Sequence, residues 1–562
     1  MGYPGESLSA EERADLAERY SPLDGQMLRS MTEGGLAWLR TNQLIVNSLN
    51  VFPVPDGDTG TNMTLTMQAA CDEAASPGET NAGKVAKSIA HGALMGARGN
   101  SGVILSQLWR GFARSLDDFA SIDTPALAHA FAMARDTAYK GVVQPVEGTI
   151  LTVSKDIAEA ARQFAGNPSA MPLELLDQVV RAADASVLRT PDLLPVLREA
   201  GVVDAGGKGL FFLLEGMLRS VYGDPLDTPL ATVQPLSALE LAAAGESIEP
   251  GQDWEVIVDF RPAPPLDVEA FYRRLEAMGT SIQVGEGEGI YRMHIHVPDQ
   301  TQYVPVEYIQ SLGTITKVSF ENLMEQIGGA DGGPASLKLT VPEPGQIAAV
   351  SVVPGPGIAR VFASLGAASI VEGGQTMNPS TQEILHAAET LPTDQVVLLP
   401  NNKNIVLTAQ QAAGLSAKHI RVIPSTSVPQ GIAAMLALDP SGDLDTIAAA
   451  MQSAMKEIRS IELTIATRSV EIDGVQVQAG QVIGLLDGRL VIAGNDLEST
   501  LQAVLEAADA GSAELITLYF GADLTTMRAN QIGDRLRQTW SRQDIEVVEG
   551  RQPHYQLIVS LE

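Results

Sequence analysis

The sequence has few cysteines, few aromatic residues and few basic residues. Cys71 is the only cysteine among 562 residues, which excludes an internal disulfide and a zinc site built from cysteines. Lysine and arginine number 37 against 68 aspartate and glutamate, so the formal net charge is −31. That charge repels nucleic-acid phosphates, and we expect no nucleic-acid partner. Aromatic residues are only 5% of a chain that is 45% hydrophobic, so its cores must be mainly aliphatic.

Long hydrophobic runs are also missing. No apolar run reaches the roughly 18 residues that a membrane-spanning helix needs. The best candidate, residues 347–371, is interrupted by Pro354, Pro356 and Arg360. Residues 1–20 are acidic and have no apolar core, which is unlike a signal peptide. We therefore expect a cytoplasmic protein with no integral membrane segment.

The chain is long enough for three or four domains, and its patterns divide it. Residues 1–223 have apolar stripes at helical spacing and no alternating β-branched runs, which predicts an all-α domain. Residues 224–250 and 328–346 have the composition of linkers. Residues 251–327 follow the order β-α-β-β-α-β, the ferredoxin-like α+β pattern. Residues 347–562 have continuous apolar strands between helical segments, which predicts an α/β region.

A loop with two carboxylates precedes a predicted helix in the first domain. Asp56 and Asp58 are separated by one glycine, so both side chains can point at one site and bind a hard cation such as Mg²⁺. The helix that follows has free N–H groups at its start, which suit an anion. Its first residues are polar: Thr59, Thr61 and Asn62. An ordinary turn with a helix cap is the alternative explanation of this pattern.

Three more helices in this domain are predicted to begin at small or polar residues. The first follows Arg98 and carries Asn100, Ser101 and Gly102, whose small side chains let the backbone approach a phosphate. The second begins near Thr149, and the third begins near Asp204 in a glycine-rich segment that does not match a P-loop. Any one of these is explained by helix capping. Four such helix starts in one domain favour an active site along one rim of that domain.

The four segments carry a resemblance to a known family. Residues 1–220 resemble the nucleotide-binding subunit of dihydroxyacetone kinases, the DhaL-like helical barrel. That family holds two Mg²⁺ ions and ATP with a D-x4-D-x-D loop. The resemblance implies that Asp56 and Asp58 are its last two acids. The slot of the first acid falls on Val51, and the nearest polar residue, Asn50, is the third candidate ligand.

The same resemblance assigns roles to the other segments. It implies that Ser101 and Gly102 form the phosphate loop, and that Thr149 and Asp204 line the nucleotide pocket. Together with their neighbours, the residues implied to bind ATP are Thr59, Thr61, Asn62, Asn100, Ser101, Gly102, Thr149 and Asp204, and those implied to bind metal are Asn50, Asp56 and Asp58.

Over nearly its whole length the chain resembles a second, more specific family. The catalytic subunits of bacterial fatty acid kinase, the YloV-like proteins, share several long motifs with this sequence: PVPDGDTGTNM, ARGNSGVILSQ, LLPVLREAGVVDAGGKGL, GGQTMNPST, LPNNKN and QPHY. The resemblance implies an ATP-dependent kinase that converts a fatty acid to an acyl phosphate while a separate DegV-family carrier presents the acid. It also implies that the C-terminal region is DegV-like and serves the carrier interaction.

Two other functions stay open on the residues alone. A kinase for a small polyol such as dihydroxyacetone would use the same nucleotide site, but nothing here supplies the covalent histidine that holds the triose. A nucleotide-binding, lipid-sensing regulator without turnover is the alternative from another class. The sequence also leaves the oligomeric state open, a homodimer included.

Two histidines in the middle domain raise the question of a metal. His294 and His296 alternate on a predicted strand, so they share a face. Relatives carry a cysteine on a neighbouring strand, and Ile257 occupies the corresponding slot here. We expect Glu255 and Asp259 to face away from that slot. The sequence therefore predicts no stoichiometric metal at these histidines.

A polar triplet in the last region is also ambiguous. Asn401, Asn402 and Lys403 follow an apolar strand, at the edge where α/β proteins place their sites. A carrier-facing role and a simple turn are both open for them.

Overall fold

The structure is a computed structural model, and it describes residues 3–49, 57–74, 78–117, 119–142, 144–226, 234–235, 254–263, 266, 268–287, 290–322, 337–472 and 474–562. Within them, residues of 1–227 and 338–562 form one compact unit and residues of 228–337 form another. The predicted fold classes are confirmed: helices come first, an α+β domain follows, and an α/β region ends the chain. No helix within the described ranges is long and apolar enough to cross a bilayer.

The N-terminal domain is built from helices that enclose one aliphatic core. Side chains such as Asp24, Asn81 and Asp123 accept first-turn N–H groups and so fix where three of these helices begin. The core contains an apolar cavity of about 70 Å³. The helices are α1 Ala10–Arg19, α2 Gly25–Thr41, α3 Gln43–Ser48, α4 Thr59–Glu73, α5 Ala82–Met95, α6 Gly99–Arg114, α7 Thr124–Gly141, α8 Ile150–Phe164, α9 Pro172–Leu193, α10 Pro195–Ala200 and α11 Ala205–Tyr222.

The middle domain has the predicted ferredoxin-like arrangement. Its sheet has the order β1-β3-β4-β2-β5, and the long strands β3, β4, β2 and β5 pair antiparallel. One face of β2 carries the buried side chains of Val256, Val258 and Phe260, which form the core with the helices. The elements are β1 Gln234–Pro235, β2 Trp254–Pro262, α12 Val268–Glu276, β3 Thr280–Gly287, β4 Ile290–Val297, α13 Val304–Leu312 and β5 Gly313–Asn322.

The C-terminal region starts with a parallel sheet of order β7-β6-β8-β9. Every residue of β6 is buried, as expected of a central strand in a parallel sheet covered by helices on both faces. The elements of this first subdomain are β6 Ile347–Val353, α14 Pro356–Ser364, β7 Ser369–Glu372, α15 Thr381–Glu389, β8 Gln395–Leu399, α16 Val406–Leu415, β9 His419–Val422, α17 Val428–Leu436 and α18 Leu444–Ala454.

A mixed sheet of order β14-β13-β10-β17-β15-β16 forms the second subdomain, with β11 and β12 as a separate hairpin. In the turn between β13 and β14, Asp487 and Gly488 both have positive φ, at 50° and 77°. Such a pair is typical of a type I′ hairpin turn. The elements are β10 Arg459–Ile465, β11 Val470–Ile472, β12 Val475–Val477, β13 Val482–Leu486, β14 Arg489–Gly494, α19 Leu497–Ala507, β15 Leu515–Phe520, α20 Thr526–Thr539, β16 Asp544–Glu549 and β17 Tyr555–Leu561.

Candidate functional site

Helices α4, α6, α8 and α11 begin at the same end of the helical domain. Their first turns touch, because glycines allow close approach. A Cβ atom added at Gly209 in α11 would lie 2.5 Å from Met63 Sδ in α4, and one added at Gly206 would lie 3.4 Å from Ile150 Cβ in α8. The four polar helix starts singled out in the sequence therefore lie along one rim.

Asp58 lies immediately before α4 and is only 8% exposed. Its side chain does not cap its own helix. Asn47 of α3 does so, because its Oδ1 accepts the N–H groups of Gly60 at 2.7 Å and Thr61 at 3.2 Å. The Asp58 carboxylate instead accepts a hydrogen bond from the C-terminal region. The two other proposed metal ligands, Asn50 and Asp56, lie outside the described residues.

The polar residues of the first turn of α4 have different surroundings. The Thr61 hydroxyl accepts hydrogen bonds from Gln43 and Asn47, both at 3.1 Å, so it faces α3. Asn62 is buried and faces α6. Thr59 is the first residue of the helix and is partly exposed. Asn47 therefore occupies two of the first-turn N–H groups that we expected to be open to an anion.

The start of α6 lies against α4. Gly99 has φ +56°, and an added Cβ would lie 2.7 Å from Asn62 Nδ2. The backbone conformation and the close contact each require glycine at this position. The preceding residue, Arg98, makes no side-chain cap. The Arg98 side chain therefore leaves the first N–H groups of α6, at Gly99, Asn100 and Ser101, without a cap, and a bound anion could accept them. That they bind phosphate stays a prediction. Gly102 approaches Thr66 of α4 closely.

Thr149 and Asp204 both cap helices. Thr149 Oγ1 accepts the Leu151 N–H at 3.4 Å at the start of α8, and the same hydroxyl donates to the Val146 carbonyl at 2.7 Å. Asp204 Oδ2 accepts the Gly207 N–H at 2.7 Å and begins α11. Burial raises the pKa of Asp204 to about 6, although the N–H groups of Gly207 and Ile150 act in the opposite direction. The capping alternative therefore holds for both residues, and their place on the rim also remains compatible with a nucleotide.

A loop from the C-terminal region, residues 373–381, reaches this rim. The Asn378 side chain donates from Nδ2 to the Asp58 carboxylate. Arg98 donates from Nη1 to the Asn378 carbonyl at 2.9 Å. The backbone N–H of Thr381 donates to the Ala97 carbonyl at 3.1 Å. The candidate site is therefore built from the helical domain and the C-terminal region together.

Two other segments of the C-terminal region contact the 373–381 loop. Asn402 Nδ2 donates to Gln375 Oε1 at 2.9 Å, and Thr376 Oγ1 lies 2.9 Å from His554 Nε2. Burial lowers the pKa of His554, so its ring is neutral at pH 7. Three motifs of the family resemblance, from LPNNKN, GGQTMNPST and QPHY, thus meet at one loop.

The triplet after β8 has a structural role in its first two residues. Asn401 has φ 55° and donates from Nδ2 to the Val352 carbonyl at 2.9 Å, which ties the carboxyl ends of β8 and β6 together. Asn402 holds Gln375 of the 373–381 loop. Asn402 and Lys403 also line a polar cavity of about 260 Å³. The carrier-facing role remains a prediction.

Helix α16 packs the C-terminal region onto α6. Gln411 donates to the Leu94 carbonyl at 2.9 Å and to Thr381 Oγ1 at 3.0 Å. Its Oε1 accepts from Gln107 Nε2 at 3.0 Å. These contacts hold Thr381, the last residue of the 373–381 loop, close to α5 and the middle of α6. Sequence reasoning missed this loop as part of the site, and its only signal was the GGQTMNPST motif.

The histidine pair of the middle domain has a third polar neighbour. On β2, Glu255 is opposite His296 and Ile257 is opposite His294, so all four side chains share a face. Glu255 Oε1 lies 3.3 Å from His294 Nδ1. One ligand atom from each of Glu255, His294 and His296 lies within 4.8 Å of the others, and all three residues are buried.

The expectation that Glu255 and Asp259 face away from the Ile257 slot is therefore wrong. Residues two apart on a strand point to the same face, and that rule applies to these three positions. Asp259 is occupied by Arg292, which donates to its two oxygens at 2.6 and 2.9 Å. Burial, together with the neighbouring His296, lowers the pKa of His294 to about 4, so this ring is neutral and able to ligate a metal.

Comparison with known proteins gives matches along most of the chain. Residues 348–562 match the C-terminal domain of FakA-like fatty acid kinase proteins, residues 249–329 match the middle domain of the same proteins, and residues 53–219 match the DAK2 domain. Protein YloV of Bacillus subtilis is 38% identical over 552 residues, which are 96% of this chain and 99% of that protein. An uncharacterized protein of Staphylococcus aureus MRSA252 is 36% identical over 554 residues, 96% of this chain and 100% of its own length.

A similarity to a solved structure covers a smaller part of this chain. A fatty-acid-binding DegV family protein from Thermus thermophilus aligns with 39% of this chain and 99% of its own, with 14% identity and a TM-score of 0.30.

Proposed function

Because this chain belongs to the FakA-like family of fatty acid kinase proteins that includes YloV, we propose that it is the nucleotide-binding component of a fatty acid kinase. In this proposal it transfers the γ-phosphoryl group of ATP to a carboxylate oxygen of a fatty acid, and the products are an acyl phosphate and ADP. A separate DegV-family protein presents the acid.

The observation that carries the proposal is the position of Asp58 beside the start of α6. A buried carboxylate and an uncapped helix start, connected through Asn62 and Gly99, offer one place for a cation and one for a phosphate. Phosphoryl transfer depends mainly on positioning and on neutralising charge, and these groups do both.

The residues at the rim fit a hard cation such as Mg²⁺. Asp58 supplies carboxylate oxygen, and Asn100 Oδ1 is buried without a hydrogen-bond partner among the described residues. We propose that Asp58 holds the cation together with Asp56 and Asn50. When bound, Mg²⁺ would offset the negative charge of the ATP phosphates.

Each remaining rim residue has a proposed task. The N–H groups of Gly99, Asn100 and Ser101, with Gly102 allowing close approach, bind the phosphates. Asp204 and Thr149 fix the starts of α11 and α8, where the rest of the nucleotide lies. Thr59, Thr61 and Asn62 shape the floor beneath the cation. The acyl carboxylate is already ionised at pH 7, so no general base is needed to activate it.

The test is to trap the product. Full-length protein is incubated with ATP, Mg²⁺ and a DegV-family protein loaded with palmitate, and hydroxylamine converts acyl phosphate to a hydroxamate that is measured by mass spectrometry. We expect palmitoyl hydroxamate only when both proteins and ATP are present. Phosphorylation of dihydroxyacetone instead would identify a polyol kinase, and ATP binding without turnover would identify a regulator.

A further inference from the structure

We propose that Asn378, from the C-terminal region, completes the cation site of the helical domain. Its Nδ2 orients the Asp58 carboxylate, and its Oδ1 is a further oxygen ligand for the divalent cation. This inference rests on the proposed function, because it concerns the cation that accompanies ATP. It makes the nucleotide site a composite of two domains.

The first support is the contact itself. Asn378 is 2% exposed, and its Nδ2 donates to Asp58 Oδ2 across the boundary between the helical domain and the C-terminal region. Both residues belong to the same compact unit. Because Asp58 does not cap its own helix, Asn378 is a group that fixes where this carboxylate points.

The second support is the amide oxygen of Asn378. Asn378 Oδ1 is buried and has no hydrogen-bond partner among the described residues. A buried amide oxygen without a hydrogen-bond partner is unfavourable, and a cation bound to Asn378 Oδ1 would remove this cost. Amide oxygens are ligands of hard cations.

The two oxygens are close enough to share one ion. Nitrogen and oxygen of the amide are bonded to the same carbon, so Oδ1 lies within about 5 Å of the Asp58 carboxylate. A hard cation binds oxygens at about 2.0 to 2.6 Å and takes six or more of them, which carboxylates of one short loop do not fill.

The third support is that the Asn378 backbone is held in place. Arg98 binds its carbonyl at 2.9 Å, and Thr381 is bound to Ala97 at 3.1 Å. On its other side, Thr376 contacts His554. A ligand held in this way needs no rearrangement to receive the cation.

The experiment measures cation binding directly. Mn²⁺ replaces Mg²⁺, and electron paramagnetic resonance follows its binding to the full chain in the presence of a non-hydrolysable ATP analogue. We expect Asn378→Ala to weaken Mn²⁺ binding by about 10-fold or more. Met377→Ala, an exposed neighbour in the same loop, is the control and should bind as the wild type does. Equal Mn²⁺ affinity of Asn378→Ala and wild type would overturn the inference.

A second variant separates a cation ligand from a structural contact. Asn378→Asp places two carboxylates together, so it should melt below the wild type in EDTA and regain most of the difference in Mg²⁺. A deficit that Mg²⁺ does not change would overturn the inference as well. A wild-type protein that makes acyl phosphate while Asn378→Ala binds Mn²⁺ normally would refute only this inference. A wild-type protein that binds neither nucleotide nor Mn²⁺ would refute the proposed function too.

Discussion

Arg98 and Glu383 form an ion pair of 3.1 Å between the helical domain and helix α15 of the C-terminal region. The same guanidinium binds the Asn378 carbonyl, so one side chain connects the start of α6 to the 373–381 loop. The helical domain and the C-terminal region therefore meet where the nucleotide is proposed to bind.

This connection gives the first prediction. Arg98→Ala should destabilise the protein by about 1 to 2 kcal/mol, because it removes a hydrogen bond to the carbonyl of the buried Asn378. Glu383→Gln should cost less than about 1 kcal/mol, since Glu383 is half exposed and surface ion pairs contribute little. Thermal denaturation of both variants and of the double variant measures their coupling. An Arg98→Ala variant with unchanged melting temperature and unchanged ATP affinity would mean that the contact does not hold the loop.

The second prediction concerns the carboxylate loop. Asp56→Ala and Asp58→Ala should each lower the rate of acyl phosphate formation by at least about 100-fold, because they remove ligands of the cation. Both should keep the wild-type circular dichroism spectrum. Asp72→Ala, exposed at the far end of α4, is the matched control. Full activity with normal Mg²⁺ dependence in the two loop variants would contradict the metal assignment.

The third prediction uses the raised pKa of Asp204. Its pKa is about 6 in the folded chain and 3.8 ordinarily, so the folded state binds more protons between these values. Protonated Asp204 therefore favours the folded state. This contribution to stability is complete below about pH 4 and is lost as the pH rises through about 6. Asp204→Asn cannot ionise and keeps a capping oxygen. It should therefore stabilise the protein at pH 7.5 by at most about 2 to 3 kcal/mol. Solvent screening of the partly exposed Asp204 side chain reduces this gain.

The control for that measurement is another helix cap. The Thr446 N–H holds the pKa of exposed Asp443 below its ordinary range, so Asp443→Asn should destabilise the protein at neutral pH. Urea unfolding between pH 4 and 8 distinguishes the two. An Asp204→Asn variant with the pH dependence of the wild type would show that Asp204 titrates normally.

The fourth prediction reverses an expectation from the sequence. With Glu255 beside His294 and His296, three protein ligands are available, the number usual in a zinc site that has one open position. Purified protein should contain close to one zinc per chain by elemental analysis. His294→Ala should remove it, and His129→Ala, on the exposed face of α7, should not. A zinc content well below one in the wild type would restore the original expectation.

The sequence predicted the domain classes because they depend on local patterns. Apolar periodicity located the helical domain, and the β-α-β-β-α-β order gave the sheet of the middle domain. The turn at Asp487 and Gly488 is equally local, because an Asp-Gly pair by itself favours a tight hairpin turn. The starts of α8 and α11 were predicted for the same reason, since Thr149 and Asp204 cap these helices locally.

The missed parts of the site depend on distant contacts. Asn378 follows Asp58 by 320 positions, and no periodicity links them. The Asn47 cap of α4 was missed because Asp58, next to the helix, is the expected cap by residue type and position. At Glu255 the error was different, because the alternation rule was available and was applied to the wrong pair of positions.

A crystal structure of the full chain with a non-hydrolysable ATP analogue and Mn²⁺ would show whether the nucleotide and its cation lie on this rim. We expect an anomalous manganese peak bonded to Asp58 and to Asn378 Oδ1, with the phosphates at the first N–H groups of α6. Nucleotide bound elsewhere, or a manganese ion that does not contact Asp58, would contradict the proposed site.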